Sequence, residues 1–327
     1  MNYRNFRDQP IAEVGLGTWQ LGSADWGDID EKTAFSILEA YVNAGGNFID
    51  TADVYGMGVS ERVIGKFLKT AGKPLFVATK LGRRDDGANG WPQNFTYDAI
   101  RRHVEESLTN LGIDQLFLEQ LHCIPTEEMK KGGVFDHLRK LQEEGLIKHF
   151  GASVETAEEA NICLAQENIA SLQIIFNLFR QHLADDFFDT AAQRNVALIA
   201  RVPLASGLLT GKFNAQTVFA PNDHRHYNAD GAAFNAGETF SGIPFAEGLE
   251  IAEKMKAILP DGNLAAQSIR WILDHPAITT VIPGASKVSQ VENNVSASLL
   301  PPLDNETHTQ LRKLFDREVR SIIKGHY

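Results

Sequence analysis

The chain has 327 residues, 43% of them hydrophobic and 22% charged, an ordinary balance for a chain that folds around its own core. A formal net charge of −11 argues against nucleic acid or an anionic membrane as the main partner. Two cysteines, Cys123 and Cys163, are too few for a disulfide framework or a cysteine metal site. No stretch reads as a signal peptide or reaches membrane-spanning length, so the cytoplasm is the expected location.

In chain order, 14–18 reads as a first barrel strand and 31–44 as a helix with Ala34, Ile37, Leu38 and Tyr41 on one face. Gly45 and Gly46 end that helix, and 48–50 form strand two. Ser60 opens a second helix, and 75–80 form strand three. The spacing of Ile100, Val104, Leu108 and Leu111 predicts a helix over 96–111, with Thr96 as its N-cap. Strand four runs through Leu121. A helix near 133–144 leads to strand five at 149–153, and one over 155–166 leads to strand six at 172–176. A helix near 186–194 precedes strand seven at 196–200. Helices near 263–274, 287–297 and 304–323 flank strand eight at 279–282. Residues 213–245, rich in Asn, Ala, Gly, Phe and His, join strand seven to the next clear helix. A loop of that length in a compact domain is more often a functional lid than a linker. Eight strands alternating with helices mean an α/β architecture, either a closed barrel or a doubly wound sheet, with 1–327 as one domain.

Three of these strands end on ionisable groups. Asp50 closes the second, and a turn of small and polar residues then presents Tyr55; Lys80 closes the third and His122 the fourth. In a parallel barrel, side chains at the carboxyl ends of the strands share one mouth. Each residue alone has a plainer explanation, such as a half-buried tyrosine or a turn-capping aspartate; their joint appearance is the signal. Asp53, three residues past Asp50, reads as turn chemistry. Asp50, Asp53 and His122 lack the second clustered histidine of a metal site. A Schiff base at Lys80 would leave Tyr55 without a purpose. Gly15-Leu16-Gly17 opens like a dinucleotide fingerprint, but Gln20 stands where a glycine is required. Pro283-Gly284-Ala285-Ser286-Lys287 instead ends strand eight and opens a helix, whose N–H groups and dipole favour a phosphate.

Gly15-Leu16-Gly17-Thr18-Trp19, the run 48–56, Lys80, Leu121-His122 and Val281-Ile282-Pro283-Gly284-Ala285 together resemble the aldo-keto reductase superfamily, in order and over nearly the whole chain. The resemblance implies a (β/α)8 TIM barrel that uses NADP, as NADPH, to reduce a small-molecule carbonyl substrate without a metal. It assigns Tyr55 as general acid, Lys80 and Asp50 as the pair that lowers the phenol pKa from its ordinary value of about 10, and His122 as the donor that orients the carbonyl. It sets Gly17, Thr18, Trp19 and Asp50 beside the cofactor, and Ser153 and Gln173 on the nicotinamide carboxamide. Pro203 falls beside the cofactor after strand seven, and Leu204, Ser206, Gly207, Leu209, Thr210 and Lys212 resemble the segment that folds over the pyrophosphate. Gly284, Ala285, Ser286 and Lys287 fall at the 2′-phosphate, with Gln290, Asn293 and Asn294 on the adenosine side. Three positions depart from the pattern. Ser286 stands where many relatives have Arg, Val154 where many have Asn, and Arg201 where an aromatic commonly stacks on the nicotinamide. The planar Arg201 guanidinium can lie against a ring, or reach a phosphate or a substrate carboxylate. Trp19, Trp26, Trp91 and the Phe and His residues of 213–245 are the expected substrate walls, beside Tyr55 and His122. The alternative function on the same barrel is a catalytically slow NADP-binding redox sensor or regulatory subunit.

Overall fold

The amino-terminal segment first folds on itself. In the computed structural model, which describes residues 1–22, 29–85, 87–88 and 90–325, β1 (Tyr3–Phe6) and β2 (Gln9–Ala12) pair as an antiparallel hairpin absent from the sequence expectation. Its apolar side chains, Phe6 and Ile11, pack against Phe48, Ala78, Leu118 and Ile199. The hairpin thereby plugs one end of a barrel whose other end stays open.

The barrel is built from β3 (Leu16–Gly17), β4 (Phe48–Asp50), β5 (Phe76–Leu81), β6 (Leu116–His122), β7 (Ile147–Ser153), β8 (Ile169–Ile175), β9 (Ala197–Arg201) and β10 (Ile278–Val281), each parallel to the next. Parallel bridges Val14–Val281 and Gly17–Gly284 join the first strand to the last, and the Gly15 N–H donates to the Val281 carbonyl at 2.8 Å. A doubly wound sheet would leave those two edges apart. Strands covered on both faces carry continuous apolar runs, and every residue of β8 is buried.

The outer helices begin where short polar side chains can take the first free N–H groups. Asp30 caps Glu31–Asn43 by accepting from the Thr33 N–H, and Thr96 caps Tyr97–Leu111 by accepting from Ala99. Thr156 and Glu159 form a reciprocal capping box at Ala157–Leu164. The helices Trp19–Gly22 and Thr126–Lys131 lie outside the ranges expected from sequence, and Phe245–Ile258 is the helix that follows the long segment. Among the described residues, no helix is long and apolar enough to cross a membrane.

Strand register decides which side chains share the mouth. Gly17 lies beside Asp50, and His122 lies beside Ser153, which lies beside Gln173. The segment 213–245 is ordered into a short helix, His224–Tyr227, and two single 3-10 turns, Ala236–Glu238 and Phe240–Gly242. Asn177 holds it to the barrel, donating through Nδ2 to Ser241 Oγ and to the Val202 carbonyl, both at 2.8 Å. Arg180 Nε donates to the Ser241 carbonyl at 3.0 Å.

Candidate active site

The open end of the barrel holds a cleft of about 630 Å³. Asp50 and Lys80, 2% and 1% exposed, form an ion pair at its base with Lys80 Nζ 2.5 Å from Asp50 Oδ1. The ammonium also donates to the Thr51 carbonyl at 2.8 Å and to the Tyr55 Oη at 3.3 Å. The other carboxylate oxygen of Asp50 accepts from Gln173 Nε2 at 2.7 Å and from Gln120 Nε2 at 3.3 Å. Both Asp50 oxygens and all three ammonium protons are therefore used, the condition under which a buried ion pair is tolerated. Thr18 lies behind this cluster, its hydroxyl donating to the Asp50 carbonyl at 2.8 Å.

Burial holds the Tyr55 phenol above its ordinary value; Lys80 pulls it down, while Asp50 and Glu238 push it up. This corrects the expected net lowering by Lys80 and Asp50: the ammonium acts in the expected sense, but burial outweighs it and the carboxylate adds to burial. Lys80 itself stays charged. Burial works against its ammonium, but Asp50 and Tyr55 lift its pKa above the usual lysine value. The His122 ring stands edge-on to the Tyr55 ring, with centroids 5.9 Å apart. Burial drives its pKa well below the usual histidine range, aided by the charges of Lys80, Arg83 and Arg201. It is a neutral imidazole, and its Nδ1 has no hydrogen-bond partner.

The aromatic wall comes from two directions. Trp19 stacks on Tyr55 with centroids 6.0 Å apart, and His224 and Phe234 of the long segment pack on Trp19 at 5.0 and 6.0 Å. Trp91 is not part of the cleft wall; its ring lies beneath the Arg83 guanidinium, 5.7 Å away. Trp26 lies outside the described residues.

Arg201 does not lie open for a ring or a phosphate. It is 7% exposed and forms an ion pair with Glu238, while a second nitrogen donates to the Val154 carbonyl at 3.2 Å. Its Nε is buried with no partner. Cys123, Glu155 and Glu238 bring one sulfur and two carboxylates within 4.8 Å of one another. The Arg201 guanidinium already serves that group, reaching Cys123 Sγ at 3.6 Å, and burial pushes the Cys123 thiol up to about 11. Asp53 does more than shape its turn. It is buried and accepts from Arg84 Nε at 2.7 Å.

The rest of the cleft suits an elongated anion. Gly17, Ser153, Gln173, Pro203, Leu204, Ser206, Gly207, Thr210 and Lys212 line it, together with Gly284, Ala285, Ser286, Lys287 and Gln290 of the last strand's end and the helix after it. Asn293, Asn294 and Leu209 do not. Leu209 is core, and Asn294 Nδ2 donates to the Gly284 carbonyl at 3.3 Å. Among the described residues, no acid pairs with Lys212 or Lys287. Ser206 is tied to the long segment, donating to the Glu238 carbonyl at 3.0 Å and accepting from the Phe240 N–H at 3.1 Å. Four polar cleft residues escaped the sequence reading: Arg83, Arg225, Glu238 and Gln20, whose buried Oε1 has no partner. Gln20 stood out only as a missing glycine, and nothing in the sequence around Glu238 marks it.

A model of the Aldo/keto reductase family matches residues 13–316, and the chain belongs to that family. It is similar to an oxidoreductase of uncharacterized activity from Bacillus subtilis, YqkF, with 30% identity over 98% of this chain and 96% of that protein. It is also similar to the Bacillus subtilis aldo-keto reductase YhdN, with 30% identity over 89% of this chain and 87% of that one. Among solved structures, it resembles the glycerol dehydrogenase AKR11B4 of Gluconobacter oxydans, with a TM-score of 0.78, 28% identity, and coverage of 99% of this chain and 97% of that one. The family and these relatives define an oxidoreductase on a (β/α)8 barrel.

Proposed function

We propose that the protein reduces an aldehyde or ketone with NADPH, using Tyr55 as the proton donor. The observation that carries this reading is the Lys80 ammonium, bound at once to Asp50 at 2.5 Å and to the Tyr55 oxygen at 3.3 Å in the floor of the cleft. The residues present fit a dinucleotide phosphate: two lysines without acid partners among the described residues flank a cleft that ends at a helix N-terminus. Buried Gln20 Oε1 and Arg201 Nε offer an acceptor and a donor with no partner inside the protein. When bound, the dihydronicotinamide supplies the hydride.

A tyrosine phenol, with an ordinary pKa of about 10, keeps its proton at neutral pH, and burial strengthens that hold on Tyr55. As negative charge grows on the carbonyl oxygen, the phenol gives that proton up, and the Lys80 ammonium stabilises the phenolate left behind. Asp50 keeps Lys80 in place and charged. Neutral His122 can hold the carbonyl oxygen with a ring N–H, fixing its distance from Tyr55. Trp19, His224 and Phe234 exclude water from one side of this point.

The test is turnover against binding. NADPH consumption with a panel of aliphatic and aromatic aldehydes is followed by absorbance, and NADPH affinity is measured separately by fluorescence. Turnover with micromolar-range binding supports the reductase. Tight binding with no turnover on any aldehyde replaces it with the sensor role, and no nucleotide binding at all overturns both.

A further inference from the structure

Where the last strand gives way to the helix after it, the two cleft donors best placed for a phosphate are already in use. The Ser286 backbone N–H donates to Gln290 Oε1 at 2.7 Å, and the Ser286 hydroxyl donates to the same oxygen at 3.1 Å. Gln290 lies in the first turn of the helix Val288–Ser296, four residues after Ser286, so the contact is local and forms with the helix itself. Lys287 sits at the N-cap position and makes no side-chain cap. One side chain therefore reaches back over this helix start, and it places a neutral oxygen where an anionic oxygen would accept from the same two groups.

We propose that Gln290 is a specificity-determining residue that acts as an internal placeholder for the 2′-phosphate. This rests on the reading of the cleft as a nicotinamide dinucleotide site. A ligand carrying a 2′-phosphate must displace the Gln290 carboxamide from Ser286 before its own oxygens can accept from that residue. A ligand with a plain 2′-hydroxyl leaves the Ser286–Gln290 contact intact. The placeholder thus lowers affinity for NADPH selectively and narrows the gap between NADPH and NADH. Ser286 sharpens the effect, because its short side chain brings one hydroxyl, which Gln290 occupies.

The test uses the full chain and two coenzymes. Kd for NADPH and for NADH is measured by quenching of intrinsic tryptophan fluorescence in the wild type, in Gln290→Met and in Gln290→Glu, with thermal unfolding as the check on folding. Methionine keeps the length of the side chain but has no oxygen to offer Ser286. It is expected to tighten NADPH by roughly fivefold, the scale of one or two net hydrogen bonds released, and to leave NADH within about twofold. Glutamate sets a carboxylate on the same donors and is expected to weaken NADPH by roughly tenfold while sparing NADH. If Gln290→Met weakens both coenzymes alike, Gln290 is an ordinary adenosine contact and the proposal is wrong. Selective weakening of NADPH by Gln290→Met would also overturn it, since Gln290 would then be a phosphate donor. Wild type that binds neither coenzyme overturns the cofactor reading itself, a result distinct from both.

Discussion

Arg201, the last residue of β9, is ion-paired with Glu238, 37 positions further on in the segment that crosses the mouth, and both side chains are almost fully withdrawn from solvent. The pair occupies the position that the family resemblance assigns to an aromatic, so here a salt bridge stands in its place. It also fastens the mouth-crossing segment, because the carbonyl of Glu238 accepts from Ser206.

Breaking that pair on one side leaves a charge without a partner. Glu238→Ala is expected to destabilise the fold by on the order of 3 kcal/mol, seen as a lower urea midpoint. Pairing it with Arg201→Leu should recover most of the loss, since the buried guanidinium is then gone. A single variant as stable as wild type would show that Glu155, close enough to feel both charges, takes over the role.

Lys80→Met removes the one group that lowers the Tyr55 pKa. The alkaline limb of the kcat profile should move to higher pH, and the rate at neutral pH should fall by roughly a hundredfold. The variant should also unfold more easily, because Asp50 is left buried without its cation.

Asp53 sets a separate pH dependence. Burial raises its carboxyl to about 6, with Glu61 adding to the effect and Arg84 opposing it. The folded protein therefore holds this proton where the unfolded chain, with a value of about 3.9, has released it. The stability that this proton brings is full below pH of about 4 and is lost as pH rises through about 6. Asp53→Asn cannot titrate. The urea midpoint of wild type relative to the variant should fall across that window, and a flat difference would contradict the burial argument.

Gly56 closes the turn that presents Tyr55. Its φ is +60°, and a Cβ added there would lie 1.7 Å from the Gly22 carbonyl oxygen. Gly56→Ala should displace the Tyr55 turn and lower both kcat and the melting temperature. Wild-type activity in that variant would mean that Tyr55 is held by other contacts.

Asp50, Tyr55, Lys80 and His122 were legible because each stands at or just past the end of an apolar strand, a position that a short apolar run followed by a turn marks in the sequence. Eight alternations of strand and helix left a closed barrel and a doubly wound sheet both open; the family resemblance implied the barrel, and the Val14–Val281 and Gly17–Gly284 bridges close it. The cap at Thr96 followed from local chemistry alone. The β1–β2 hairpin was hidden by its brevity: four residues on each side, joined through Arg7 at φ 53°, without the glycine or asparagine that such a turn favours. Glu238 was illegible for a different reason. Its partner is 37 residues away, and only tertiary packing brings the two together. The net direction of the Tyr55 pKa was also out of reach, since it depends on depth of burial as much as on the identity of its neighbours.

The most direct test of the account is single-turnover reduction of an aldehyde by protein preloaded with NADPH, comparing wild type with Tyr55→Phe. Loss of the phenol oxygen should slow the chemical step by roughly a hundredfold or more while the NADPH Kd stays within about twofold. A Tyr55→Phe protein that reduces the aldehyde at the wild-type rate would contradict the central claim, because the proton would then come from another group.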